Sequence, residues 1–445
     1  MAAMPDVEYA HNGDTRLAYQ VWGSGPEVLV VPGLFSNVEM TWEHEYYRRV
    51  LEWFGEHARV AHFDKRGMGL SDRSDVTPTL DDLMGDIAAV MDALGWEAPA
   101  VVGVSEGGVM SQYFAARQPE RVSRLALANS AAGGTIHLRE AAAGLPALLE
   151  FFEGLYPRWG QDATYLLERF APGRVSNTAF VRWLERFQRQ SCSAADLRRH
   201  VGNMLQWDAY ELLGGITAPT LVASCSDDLI VPAATGDALA AAIPGAERYL
   251  FDGGDHFYWI GEQWLEVSTP LLEFLTGAAA TVRTERGFGA VVFTDIVGST
   301  TSAVTAGDEQ WRRLLDDHDQ AAWRLIDRHG GTIVKSTGDG LLARFAMPSD
   351  AVLFTQDLRN ELDGVGLPIR AGIHVGEIEI RSDGDLTGFA VNLAARVEQA
   401  ADDGAVFVSS TVRDMMQGGS VEFADRGSHE LKGFDDTWRL FEVVG

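Results

Sequence analysis

Four short runs rich in β-branched residues, EVLVVPG (27–33), RVAHFD (59–64), APAVVGVS (98–105) and APTLVASC (218–225), recur with helical patterns such as LDDLMGDIAAVMDALG (80–95) between them. Strands written as near-continuous apolar runs are buried on both faces, and the intervening helices supply the covers. This part of the chain is therefore expected to form a parallel sheet clothed by helices, an α/β architecture. Residues from about 136 to 214 break that rhythm with helical segments rich in aromatics and leucine, LPALLEFFEGLYPRW and NTAFVRWLERFQR, and read as an inserted helical cap.

The character changes again at TGAAATVRTERG (276–287), a small-residue and charged stretch. It is read as a linker, 278–288, between a first domain, 1–277, and a second, 289–445. Beyond it come a strand (GAVVFTD), a helix, a hairpin (GTIVKSTGDGLLARF), a helix, a strand (LPIRAGIHVGEIEI) and a helix (FAVNLAARVEQA). That succession is ferredoxin-like, with additions at the C-terminus. With 445 residues, 46% of them hydrophobic, the chain can bury two substantial cores.

A formal net charge of −28 repels nucleic-acid backbones and anionic membrane surfaces, so neither is an expected partner. An anionic substrate would need local cations or bound metal. Cys192 and Cys225 are the only cysteines, which favours two buried small hydrophobes in a reducing compartment over a disulfide scaffold. The first twenty residues lack a basic stretch followed by an apolar run, and no segment approaches the roughly 18 apolar residues of a membrane span. A soluble, cytoplasmic protein is expected.

In the first domain Gly103-Val104-Ser105-Glu106-Gly107 sits between an apolar strand and a helical pattern, the setting of a nucleophile elbow, where small flanking residues permit a turn sharp enough to lift the serine hydroxyl above the sheet. Asp228, in DDLIVP, and His256, in GGDHFYWIG, each follow a later strand, giving the chain order Ser, Asp, His. A serine hydroxyl needs a base in reach, and that imidazole needs a carboxylate to fix its tautomer. The bland alternative is a turn serine, a strand-end aspartate and a loop histidine. With Asp64-Lys65-Arg66-Gly67-Met68-Gly69-Leu70-Ser71-Asp72, residues 8–277 resemble the α/β-hydrolase family. The resemblance implies catalytic roles for Ser105, Asp228 and His256, and an oxyanion hole from the main-chain N–H groups of Leu34 and Glu106. Two positions depart from the family: Pro32-Gly33 replaces the usual His-Gly, and Glu106 sets a carboxylate beside the oxyanion position.

In the second domain Asp295 closes an apolar strand, and Asp339 lies in a hairpin turn, Gly338-Asp339-Gly340. In a ferredoxin-like sheet the first strand neighbours that hairpin, so the two carboxylates can converge on Mg²⁺ or Mn²⁺. Asn392 and Arg396 are four apart in a helical stretch and share one face, where an asparagine among apolar residues is unexplained by packing. Together with Lys335 and Asp385 these positions closely resemble the class III nucleotide cyclase catalytic domain over residues 289–445. The resemblance implies two metal ions per active site, bound by Asp295, Ile296 and Asp339, a ribose-orienting Asn392 and a phosphoryl-stabilising Arg396. Lys335 and Asp385 would read the purine. An ammonium donates to adenine N1 and a carboxylate accepts from its N6 amino group, while guanine presents the opposite pattern, so the pair favours ATP over GTP. Lys432, in LKGFDDTWRLFEV, is a phosphate contact or simply an exposed lysine.

In that family purine-reading and metal-binding groups of one site come from different subunits, which implies a homodimer with two shared sites. The expectation is an adenylyl cyclase with an N-terminal hydrolase-like domain, similar to actinobacterial hydrolase-cyclase fusions, that processes or senses a small ester-like or lipid-like ligand. The alternatives are a serine hydrolase carrying a quiet cyclase domain, and a hydrolase-fold sensor without chemistry.

Overall fold

The apolar runs form the inner strands of the first of two eight-stranded sheets. In the computed structural model, which describes residues 4–444 apart from 75, 134–143, 176, 262–263, 281–283, 300–306, 337–338, 382–384 and 435, the chain divides into two compact units, Met1–Thr281 and Val282–Gly445.

In the first unit β1 (Glu8–Asn12), β2 (Thr15–Gly23), β3 (Glu27–Val31), β4 (Arg59–Phe63), β5 (Ala100–Val104), β6 (Arg124–Ala128), β7 (Thr220–Cys225) and β8 (Glu247–Phe251) lie in the order 1-2-4-3-5-6-7-8. From β4 to β8 all neighbours are parallel, and β1 and β2 add an antiparallel edge. Every residue of β5 and β7 is buried, as continuous apolar runs require. One core lies around Ile87, Met110 and Phe114, the other around Trp53, Leu271 and Leu272, on opposite faces of the sheet. Between β6 and β7 the helices Gly144–Leu155, Thr164–Phe170, Thr178–Ser191 and Ala194–Met204 form the expected cap, whose residues 136–143 lie outside the described residues. Its aromatics, including Phe151, Phe180 and Phe187, pack on Leu34 and Phe35 of the loop after β3.

In the second unit β9 (Thr284–Ile296), β10 (Thr332–Ser336), β11 (Gly340–Phe345) and β12 (Ile369–Arg381) lie in the order 10-11-9-12, with helices Asp308–Arg328 and Pro348–Gly364 between them, as a ferredoxin-like chain requires. The C-terminal additions β14 (Val406–Ser409), β16 (Thr437–Val444) and β15 (Glu422–Glu430) extend the sheet beyond β12, and the two-residue β13 (Leu386–Thr387) pairs with β12. The strand β9 starts at Thr284, inside the stretch read as linker. Residues 284–288 pair with β12 from Arg381 to Glu377, whereas β11 covers β9 only from Ala290 onward. Paired on one side alone, this end of the strand needs no apolar alternation and looks like a connection in sequence. No helix among the described residues is long and apolar enough to cross a membrane.

Candidate active sites

At the end of β5 the chain turns into the helix Glu106–Arg117 through Ser105, whose φ of 53° and ψ of −122° are strained for a residue with a side chain. The flanking glycines make that turn possible. A Cβ on Gly103 would stand 2.6 Å from Gly108 Cα, and one on Gly107 would stand 2.3 Å from the carbonyl oxygen of Val31. The turn leaves Ser105 Oγ 2.9 Å from His256 Nε2, and His256 Nδ1 lies 2.7 Å from Asp228 Oδ2. Asp228 is fixed in turn, because its Oδ1 accepts from the main-chain N–H groups of Ile230 and Val231 at 2.7 and 3.0 Å. Asn129 Nδ2 donates to the His256 carbonyl at 2.9 Å, and the Phe170 ring meets the imidazole edge-on at 5.1 Å. Serine, histidine and aspartate are thus one hydrogen-bonded chain, as read from the sequence order.

The loop carrying Leu34 lies against this chain: a Cβ on Gly33 would touch Ser105 Cβ at 3.4 Å. Lys65, 1% exposed, donates from Nζ to the Gly33 carbonyl at 2.6 Å and to Glu106 Oε1. Since a trans peptide points its C=O and N–H in opposite directions, the grip on Gly33 O turns the Leu34 N–H away from Lys65. His200 of the cap adds a hydrogen bond to Glu106, its Nε2 standing 2.8 Å from Oε1. Burial pushes the Glu106 carboxyl upward, but His200 and Lys65 more than cancel this and hold it below its ordinary range. Burial also lowers His200, leaving the imidazole neutral at pH 7 and Lys65 the full positive charge facing the carboxylate. The carboxylate beside the oxyanion position is therefore paired, not bare.

In the second unit the register sets Asp295 of β9 opposite Gly340 of β11, and Ile296 N donates to the Asp339 carbonyl at 2.8 Å. Only glycine fits at 340, where a Cβ would fall 1.8 Å from the Thr294 carbonyl oxygen. Gly338, placed in the same turn from sequence, lies outside the described residues. Burial first, then the neighbouring Asp339, raise the Asp295 carboxyl above its ordinary value. Ser299 donates to Asp339 Oδ2, and Arg370 Nη2 donates to Asp295 Oδ2 at 2.6 Å while its Nε reaches Glu398 at 2.7 Å. No group of three ligating acid, histidine or cysteine side chains occurs among the described residues. Two carboxylates, with the main-chain carbonyl as the only oxygen that Ile296 can offer, are a donor set that fits Mg²⁺ completed by water and phosphate oxygens.

Lys335 on β10 and Asp385 before β13 are paired, Nζ to Oδ1 at 2.8 Å. No hydrogen bond joins this pair to Asp295 or Asp339 among the described residues. Asn392 and Arg396 share one side of the helix Phe389–Gln399, but that side is the outward one. Val391, Leu393, Ala394 and Val397 are buried whereas Asn392 is exposed, and Arg396 binds Gln399 at 2.6 Å. The asparagine thus lies beside the apolar face, not within it, because the helix buries only the residues turned toward the sheet. Lys432 is exposed.

Residues 26–190 match the family described as alpha/beta hydrolase fold, and residues 285–443 match the adenylate and guanylate cyclase catalytic domain. The chain joins an alpha/beta-hydrolase domain to a class III cyclase domain.

The hydrolase domain is similar to a putative carbamate hydrolase, RutD, of Azorhizobium caulinodans, 27% identical over 57% of this chain and 92% of that protein. Its fold is shared with a thermophilic esterase from Thermogutta terrifontis, at 22% identity and a TM-score of 0.50 over 61% of this chain and 98% of that one. The cyclase domain is similar to a putative adenylate cyclase 3 of Rhizobium meliloti, 32% identical over 28% of this chain, a match spanning 22% of that protein. Three features of the two domains escaped the sequence reading. Arg370 was visible only as one charge in the apolar strand LPIRAGIHVG, and Lys65 and His200 come from segments with no pattern linking them to Glu106. Asn129, at a φ of 44°, gave no signal beyond its strand end.

Proposed function

We propose that the chain is an adenylyl cyclase, converting ATP to 3′,5′-cyclic AMP and pyrophosphate in sites shared by two copies of the chain, and that its first domain is a serine hydrolase. The cyclase reading is carried by the convergence of Asp295 and Asp339 at neighbouring strand ends, next to an arginine and a serine that offset their charge. Two Mg²⁺ or Mn²⁺ ions bound there would acidify the ribose 3′-hydroxyl and neutralise charge gathering on the α-phosphate. Asp295, Asp339 and the Ile296 carbonyl are their ligands from the chain.

The adenine is read by the Lys335–Asp385 pair, ammonium to N1 and carboxylate to the N6 amino group. Asn392, exposed, and the half-buried Arg396 share the outward side of one helix, from which they would meet a substrate brought by a second copy, the first orienting the ribose and the second facing the transferring phosphoryl group. Two-fold pairing then sets one copy's Lys335 and Asp385 against its partner's acids. Incubation with Mn²⁺ and either ATP or GTP tests this: cyclic AMP should form in preference to cyclic GMP, and a dimeric sample without cyclic nucleotide would refute it.

In the hydrolase domain, His256 takes the Ser105 proton as Oγ attacks a carbonyl, and Asp228 holds the imidazole in the required tautomer. The N–H groups of Leu34 and Glu106, the latter at a helix N-terminus, receive the oxyanion. Turnover of a p-nitrophenyl ester that is lost in Ser105→Ala supports this role, and equal rates would remove it.

A further inference from the structure

From Ser105 a cavity of about 170 Å³ runs into the hydrolase domain, and its walls say what enters it. Its floor is one face of four adjacent strands, with Val104 and Val102 of β5, Val30 of β3, Val60 of β4 and Trp22 of β2. Its roof is Val50, Leu51 and Phe54 of the helix Glu45–His57. Three strand spacings separate β5 from β2, so the slot is about 14 Å long, the length of an extended chain of roughly twelve carbons at about 1.25 Å of advance per bond.

Among the described residues no lysine or arginine lines it. The polar group toward its far end, His62, is engaged with Gln20 at 2.9 Å, and burial holds it down to about 3, so the imidazole stays uncharged. Near the loop after β3 the buried carboxyl of Asp64 accepts main-chain hydrogen bonds from Leu70 and Val38, and offers nothing to an anion. A chain ending in a carboxylate would have to bury that charge with no cation among the described lining residues, only neutral donors such as Ser36, Asn37, Thr41 and Tyr47, which is unfavourable.

We propose that the slot binds the acyl chain of the substrate, an ester of an unbranched, uncharged fatty acid of medium length. This rests on the hydrolase reading above and names its substrate class. The acyl part belongs inside because an alcohol placed in a slot that starts at Ser105 would be trapped behind the acyl-enzyme. In the step itself the Ser105 Oγ–acyl bond forms as the acyl–oxygen bond to the alcohol breaks, and His256 passes the serine proton to the departing alkoxide. Water then attacks the acyl-enzyme and releases the fatty acid, restoring the serine proton through His256.

The test is kcat/KM for p-nitrophenyl butanoate, octanoate and hexadecanoate on the full chain, beside Val102→Phe and Leu51→Phe, which fill the slot from floor and roof. Each buried methylene is worth roughly fourfold. Octanoate should exceed butanoate by at least about tenfold, hexadecanoate should fall away, and either folded variant should lower the octanoate-to-butanoate ratio at least about tenfold. A flat profile, a preference for butanoate, or variants with the parent ratio would overturn the proposal. Methyl octanoate binding to Ser105→Ala by calorimetry separates the two readings. Binding of methyl octanoate in preference to methyl acetate, with no ester turnover by the parent, retains the slot and removes hydrolysis, whereas equal or no binding of both removes the slot.

Discussion

Replacing Lys65 by methionine isolates what the buried cluster contributes. Lys65 and Glu106 are 1% and 5% exposed, and the ammonium is the full positive charge against the carboxylate. Removing it leaves an anion in the interior with only the neutral His200 as donor, a loss of about 3–5 kcal/mol. For a unit of this size each kcal/mol moves the midpoint by about 2–4 °C, so Lys65→Met should lower the hydrolase-domain transition by roughly 6–20 °C. Lys65→Met combined with Glu106→Gln has no buried charge to strand, and should recover most of the loss.

The effect should depend on pH through His200. Burial and Lys65 both hold His200 low, so losing Lys65 moves its folded value upward relative to the parent, and the variant regains stability relative to the parent as pH falls through that value. Lys65→Met should therefore be less damaged at pH 6 than at pH 8.5. Calorimetry of the parent, both single variants and the double at the two pH values measures all of this. A parent-like midpoint in Lys65→Met, or a double variant no more stable than that single one, would show that the pair carries no such energy.

Other outcomes follow from the same geometry. Ser105→Ala should cut ester hydrolysis by about 10³-fold or more, read from p-nitrophenyl octanoate, while cyclic nucleotide formation persists. Exchanging the purine-reading pair, Lys335→Glu with Asp385→Lys, keeps opposite charges at their 2.8 Å contact but inverts donors and acceptors, and should lower the ATP-over-GTP ratio of kcat/KM by about 10²-fold or more. Burial raises Cys192 to about 12 and Cys225 to about 11, so neither should react with iodoacetamide at pH 8 until the chain is unfolded in guanidinium.

What was legible in the sequence was whatever local pattern dictates. Apolar runs and helical periods marked the strands of both sheets, and the elbow glycines around Ser105 announced a turn that larger side chains would block. Chain order supplied Asp228 and His256, and the hairpin between β10 and β11 brought Asp339 beside Asp295. What escaped depends on contacts between distant segments. Lys65, Glu106 and His200 meet across separations of 41 and 94 residues, and nothing in any one segment encodes the partner. Arg370 becomes meaningful only through a strand register that sets it opposite Asp295. The start of β9 was missed because its charged end is paired on one side alone, and the exposure of Asn392 because helical spacing groups residues by side without saying which side meets the sheet.

The composite cyclase site is tested most directly by complementation. Asp295→Ala and Lys335→Ala each damage both sites of a homodimer, but in a mixed dimer one site collects both lesions and the other none. After subunit exchange at equal concentrations, half the dimers are mixed and each has one intact site, so cyclic AMP formation should return to roughly a quarter of the parent rate. A mixture as inactive as its components, with subunit exchange demonstrated, would contradict the account.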